Sequence, residues 1–170
     1  QQYNLSVLLI LLVTMAGVLS FLIPKAIFWY GVIISIGIGL YFLLLNKFMK
    51  TTKMQWLKEP TTAICYTLAV VGIAFVNHSS INASSWILAF MFFLIASQNL
   101  LLFSYFEKFS HPYIINTVDV FGQLSSRRLI RILGFVVLFL AIFLFSSGWN
   151  YINKVGLILA VMSQILSFIP

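Results

Sequence analysis

Long apolar runs are the feature of this sequence that most restricts its fold. Hydrophobic residues make up 62% of the 170 residues and charged residues only 8%, whereas a soluble domain carries about 25% charged residues. This chain has too little polar surface to cover a water-soluble domain. We therefore expect an integral membrane protein with lipid as the solvent for most of its surface.

Six of the apolar runs are long enough, or nearly so, to cross a bilayer core of about 30 Å, which takes roughly 20 helical residues. Helices are favoured because every backbone polar group in lipid must be satisfied within its segment. The sequence predicts one all-α, polytopic transmembrane domain over residues 1–170. Because the sequence stops at Pro170, directly after an apolar run, we expect this domain to belong to a longer protein. The six predicted spans are residues 5–23, 27–45, 61–76, 86–106, 129–146 and 155–169.

The basic residues are distributed unevenly between the two sides of this predicted topology. On one side of the membrane lie only Lys25 and Lys154. The other eight basic residues lie in or beside two connections on the opposite side. Because an excess of Lys and Arg marks the cytoplasmic side, we expect the loops at residues 46–60 and 107–128 to be cytoplasmic. The eight are Lys47, Lys50, Lys53, Lys58, Lys108, Arg127, Arg128 and Arg131.

The net charge of +7 also indicates the class of partner. The basic residues are spread through loops at the membrane edge and form no stripe along a helix, which argues against nucleic acid. Anionic lipid head groups or a phosphorylated lipid are the expected partners. Lys47 and Lys50 could hold a diphosphate as point charges, although lysines at a helix end more often anchor it to lipid phosphates.

The connection at residues 107–128 is long for a loop between two membrane helices, and long loops tend to be functional. A short interfacial helix around Asn116 to Phe121 is predicted within it. Glu107, His111 and Asp119 could bind a metal-bridged phosphate or act as general acid and base. They could also be ordinary solvated polar residues. Judged by residue type alone, this second interpretation is favoured.

Polar residues inside the fourth apolar run, Gln98, Asn99 and Ser104, allow two interpretations. Adjacent amides in a bilayer are costly unless they face a cavity or bond to another helix. They could form a polar wall facing a substrate. They could equally make hydrogen bonds between helices, worth about 0.6 kcal/mol each on average.

Three stretches of the sequence share an order of residues with a known family. Residues 40–50 hold a Tyr followed by two Lys, and residues 58–68 begin Lys-Glu-Pro-Thr-Thr. The third stretch contains Gln98, Asn99, Glu107, Thr117, Gly122, Arg127 and Arg128. Together they resemble the UbiA superfamily of intramembrane aromatic prenyltransferases, at the end of its fourth helix, the start of its fifth helix and its second motif. The resemblance implies that the six runs match helices three to eight of a nine-helix bundle.

The resemblance also implies a metal site, from which this chain departs. In the family, motif aspartates hold Mg²⁺, which bridges the diphosphate of a prenyl donor. Alignment on Thr117 and Gly122 puts Tyr105 and Phe109 at the aspartate positions, and neither side chain can ligate Mg²⁺. Glu107 is the carboxylate left in the motif, so the resemblance implies a metal contact there. A single carboxylate would neutralise a leaving diphosphate poorly.

Two functions are consistent with this resemblance. The first is a divergent UbiA-like protein that binds an isoprenoid or related lipid between its helices and, if active, transfers a prenyl group from a polyprenyl diphosphate to a lipophilic acceptor with Mg²⁺. The second is a catalytically inactive membrane subunit or scaffold that packs against partner proteins, which Tyr105 and Phe109 favour. For the first, the expected substrate-binding residues are Lys47, Lys50, Asn99, Ser104, Arg127 and Arg128.

Overall fold

The computed structural model describes residues 7, 10, 11, 13–15, 17, 18, 21–48, 57–77, 81–111, 113, 116–146, 148 and 150–169, with side chains left undescribed at 44–48. Regular structure in these residues is helical, and they contain no strand. The helices with defined bounds are α1 (Lys25–Phe48), α2 (Lys58–Asn77), α3 (Ala83–Ser110), α4 (Thr117–Phe121), α5 (Gln123–Ser146) and α6 (Tyr151–Phe168).

Five of these helices, all except α4, are long and apolar enough to cross a membrane. The all-α, multi-pass membrane fold is therefore confirmed for the described part of the chain. The described residues between 7 and 22 are also helical, but part of the predicted span at 5–23 lies outside the described residues. The span predicted at residues 5–23 thus stays a prediction.

The helices begin earlier than the apolar runs suggested, because polar residues start them. For α3, Asn82 is the N-cap, and its side-chain oxygen accepts hydrogen bonds from the backbone N–H and the hydroxyl of Ser85 at 3.1 and 2.7 Å. Side-chain acceptors of this kind satisfy N–H groups that have no partner in the first turn. With 28 residues, α3 is about 42 Å long and exceeds the hydrocarbon core.

The bundle is organised around α3, which packs against α2, α5 and α6. Its main apolar core lies where α3 meets the antiparallel pair α5 and α6. Small residues allow this pair to approach closely, as is typical in lipid, where packing must replace the hydrophobic effect between helices. A Cβ at Gly156, for example, would lie 3.2 Å from Leu144. The buried residues of this core are Met91, Leu94, Val137, Ala141, Leu144 and Ala160.

A buried amide supplies the polar contacts of the same interface. The side chain of Gln98 on α3 is fully buried and donates from Nε2 to the carbonyl oxygen of Ile130 at 3.1 Å, that of Ser163 at 3.0 Å and the hydroxyl of Ser167 at 2.8 Å. Its Oε1 accepts from the Ser163 hydroxyl at 2.6 Å. One side chain therefore joins α3, α5 and α6.

Candidate functional site

The start of α2, the end of α3 and the short helix α4 meet at a buried carboxylate. Glu59 is only 6% exposed. One of its oxygens accepts a hydrogen bond from the Ser104 hydroxyl at 2.5 Å, and the other accepts from the Thr117 hydroxyl. These contacts bring the start of α2, the end of α3 and α4 together at one end of the bundle.

A capping box holds α4 in this position. The Asn116 side chain accepts from the backbone N–H of Val118 at 3.1 Å, and the Asp119 carboxylate accepts from the backbone N–H of Asn116 at 3.0 Å. The amide of Asn116 also donates to the carbonyl oxygen of Ser104 at 2.8 Å. The short helix predicted around Asn116 to Phe121 is therefore confirmed, as Thr117–Phe121. It ends at Gly122, whose φ of 80° favours glycine.

An ion pair provides a second tie between α3 and α4. Lys108 Nζ lies 2.7 Å from the carboxylate of Asp119. The hydrogen bond from Lys108 and the backbone N–H of Asn116 hold the pKa of the Asp119 carboxyl below its ordinary value. The carboxylate of Asp119 therefore ties α4 to the last turns of α3 through Lys108.

Tyr105 and Phe109, which the family resemblance aligns with metal-binding aspartates, pack together. The buried ring of Tyr105 meets the ring of Phe109 edge-on, with 5.1 Å between centroids. The guanidinium of Arg127 lies 5.4 Å from the Tyr105 ring centroid and donates from Nε to its hydroxyl at 2.7 Å. Both Arg127 and Arg128 are exposed, and the side chain of Arg127 contacts α3 through Tyr105.

A cavity of about 280 Å³ opens between the start of α2 and the end of α3, and we call it the charged pocket. Its apolar wall includes Phe103, which is 64% exposed. Lys58 and Glu107 carry opposite charges on its walls, yet neither forms an ion pair within the described residues. The polar lining residues are Lys58, Glu59, Thr62, Ser104 and Glu107.

A second and larger cavity of about 410 Å³ lies between α2, α3 and α6, and we call it the lateral groove. Its walls are mostly apolar, and the rings of Tyr66 and Phe92 are nearly parallel, with centroids 6.0 Å apart. The side chain of Asn99 is exposed on the groove wall. Within the described residues, no hydrogen bond engages that amide.

The carboxylates do not fit the Mg²⁺ that the family resemblance implies. Mg²⁺ needs hard oxygen ligands in near-octahedral geometry. Both oxygens of Glu59 accept hydroxyl hydrogens, and Asp119 is paired with Lys108. Glu107 lines the same pocket as Lys58, which carries the opposite charge. In the part of the chain that the structure describes, no group of three His, Cys, Asp or Glu side chains could hold a metal ion.

The substrate-binding residues predicted from the sequence fall in different places. Asn99 lines the lateral groove, and Ser104 lines the charged pocket while donating to Glu59. Lys47 lies in the last turn of α1, where only the backbone is described, and Lys50 lies outside the described residues. Among the side chains that the structure describes, Asn99 and Ser104 therefore line two different cavities.

The two adjacent amides of α3 divide between the two predicted roles, hydrogen bonding between helices and lining a cavity. Gln98 makes the hydrogen bonds between helices, and Asn99 faces a cavity. Sequence reasoning did not single out Glu59 as a functional residue. The signal was present, since a Glu followed by Pro at the first turn of a helix places a carboxylate against the unpaired N–H groups of that turn.

Comparisons with protein-family models, with characterised proteins and with solved structures found no match for this chain. The charged pocket and the lateral groove therefore carry the functional interpretation, and the family resemblance stays an expectation.

Proposed function

We propose that this chain is a membrane protein that binds an isoprenoid or a related long-chain lipid in the lateral groove. The observation that carries the proposal is the amide of Asn99, to which no described residue makes a hydrogen bond. It lies on a membrane-spanning helix and lines a mostly apolar cavity. A polar group exposed to lipid is costly, so residues of this kind usually face a ligand path or a cavity. A lipid with its own hydrogen-bonding group would satisfy the amide.

The depth of Asn99 indicates where the polar group of that lipid lies. Asn99 is eight residues from Glu107 along α3, which is about 12 Å along the helix axis. The amide therefore lies well below the charged end of the bundle, inside the hydrocarbon region. A neutral group such as a hydroxyl or carbonyl on a lipid fits this depth, since a charged group there would need a partner charge.

The direct test uses geranylgeraniol with a photoreactive diazirine as the probe, applied to the full protein in lipid nanodiscs. We expect saturable labelling of groove residues that unlabelled geranylgeraniol displaces. Replacing Asn99 with Leu removes the amide while keeping the volume similar. We expect roughly a fivefold loss of apparent affinity, as a hydrogen bond in lipid is worth about 1 kcal/mol.

Two tryptophan substitutions give a matched comparison for the same assay. Ile165 lines the groove and is 58% exposed, whereas Ile142 on α5 is 59% exposed and lies outside the groove. Ile165→Trp should fill the groove and abolish labelling, and Ile142→Trp should leave it unchanged. Labelling that does not saturate, or that falls equally in both variants, would remove the support for this function and favour a scaffold that packs against partner proteins.

Prenyl transfer from a polyprenyl diphosphate is the second candidate, favoured by Ser104 and Glu107 on the walls of the charged pocket, within the stretch that resembles the UbiA second motif. It requires metal ligands beyond those that the described residues bring together. Its test is Mg²⁺-dependent binding of geranylgeranyl diphosphate to the full protein. Saturable binding that needs Mg²⁺ and weakens in Glu107→Gln would support it. Binding indifferent to both would count against it.

We also propose that the end of the bundle carrying Glu59 and α4 faces the cytoplasm. The support is the excess of Lys and Arg in the two connections that join helices at that end. Cysteine substitutions at Arg128 and at Lys25, labelled from outside intact cells with a membrane-impermeant thiol reagent, test it. Labelling at position 25 and protection at position 128 is the expected outcome, and the reverse would invert the topology.

A further inference from the structure

The charged pocket presents two opposite charges to a ligand that lies at the membrane edge. Lys58 and Glu107 both line it, and neither is paired with the other or with another described residue. Each is partly exposed. An ammonium and a carboxylate on the walls of one cavity can each accept an opposite charge from a ligand.

The formal charge of the pocket restricts the ligand further. Lys58 contributes one positive charge, and Glu59 and Glu107 contribute one negative charge each, so the pocket carries a formal charge of −1. Without a bound cation, a diphosphate would meet two carboxylates with one ammonium, which is unfavourable. A ligand with one anionic and one cationic group pairs with both walls, because the oxygens of Glu59 are already engaged by hydroxyls.

The apolar part of the pocket indicates that the ligand is a lipid. Phe103 is 64% exposed and, with Leu100, forms the wall that continues along the membrane-facing surface of α3. One face of α3 carries residues at intervals of seven and four, namely Ala96 in the lateral groove, Phe103 and Glu107. An acyl chain leaving the pocket would lie along this face.

We propose that the charged pocket binds the head group of a zwitterionic phospholipid with a primary amine, as in phosphatidylethanolamine. The ammonium of Lys58 binds the phosphate, and the carboxylate of Glu107 accepts hydrogen bonds from the amine. A primary amine is preferred over a quaternary one because it has N–H donors for charge-assisted hydrogen bonds. The head-group contacts at Lys58 and Glu107 are distinct from the proposed contact at Asn99, and their test does not depend on it.

The test measures lipid retention by native mass spectrometry of the full protein with phosphatidylethanolamine, phosphatidylcholine and phosphatidylglycerol in turn. We expect phosphatidylethanolamine to bind roughly tenfold more tightly than the other two, the value of one hydrogen bond to a charged group. N-acetylation of the amine removes its charge and should abolish the preference. These comparisons need no variant, so they stand even where a substitution disturbs folding. Equal retention of all lipids would overturn the proposal.

Variants assign the two charges to their positions. Glu107→Gln should remove the preference for the amine, and Lys58→Gln should weaken retention of phosphatidylethanolamine roughly tenfold. Lys25→Gln is the matched control, because it removes a lysine from the opposite end of the bundle, and it should change nothing. A preference that survives both pocket variants would place the binding elsewhere and refute the assignment.

A soluble competitor separates a lipid from a water-soluble ligand with the same head group. Glycerophosphoethanolamine carries the phosphate and amine without acyl chains. If the Phe103 wall holds a chain, this competitor at equal concentration should not displace phosphatidylethanolamine. Displacement would show that the head group alone suffices and would overturn the lipid assignment.

Discussion

Replacement of Gln98 by Leu tests whether the buried amide holds the bundle together. In the folded protein the amide nitrogen has three acceptors within 3.1 Å, on Ile130, Ser163 and Ser167, and the amide oxygen accepts from Ser163. The nitrogen carries two hydrogens, so two donated bonds and one accepted bond can be fully formed at once. Leu is close in size and leaves little cavity behind.

The expected loss of stability follows from these three bonds. Hydrogen bonds between membrane helices average about 0.6 kcal/mol each, so the free energy of unfolding should fall by about 2 kcal/mol. That corresponds to roughly a 30-fold change in the ratio of folded to unfolded protein. Equilibrium unfolding in mixed micelles of a mild detergent and dodecyl sulfate, followed by far-ultraviolet circular dichroism, measures it.

The neighbouring amide supplies the control. Asn99→Leu removes a side chain that is exposed and makes no hydrogen bond within the described residues, so the free energy of unfolding should stay within about 0.5 kcal/mol of the wild type. The same substitution should weaken lipid binding in the groove, which Gln98→Leu should affect only through stability. If the two variants are destabilised equally, the assignment of the interhelical contacts to Gln98 is wrong.

Three further predictions concern the packing and the charged end. Gly134→Ala should lower the free energy of unfolding in micelles by about 1–3 kcal/mol, because the added Cβ would clash with the Ser167 hydroxyl; an unchanged value would contradict this. Ser104→Ala should cost about 1.5–3 kcal/mol in the same assay, since the buried Glu59 carboxylate loses a charge-assisted donor, and no loss would refute it. The lowered pKa of Asp119 means that this carboxyl binds a proton less readily in the folded state than in the unfolded state. The stability that Asp119 contributes is therefore present above about pH 4 and is lost as the pH falls through the folded-state pKa. Asp119→Asn should flatten that part of the pH dependence of unfolding, and an unchanged profile would contradict this.

The apolar runs and the polar helix-capping residues predicted much of the architecture. Each apolar run over the described residues became a helix that contains most of it, such as α5 over Gln123–Ser146 for the predicted span at 129–146. The short helix α4 was also predictable, because Asn116 and Asp119 provide a capping box within three residues. These features depend on residues close together in the chain, so the sequence alone carries them.

The role of each polar residue was decided by the tertiary structure. Gln98 and Asn99 are adjacent amides with the same local surroundings, and helical geometry turns them about 100° apart. One meets α5 and α6, and the other meets a groove. Glu59 likewise became a junction only because Ser104 and Thr117, both far away in sequence, converge on it. The sequence by itself determined that this chain forms apolar helices with one strongly basic set of connections. Which side chains are consumed in packing and which remain for a ligand depended on how the helices face one another, since contacts between distant segments leave no local pattern.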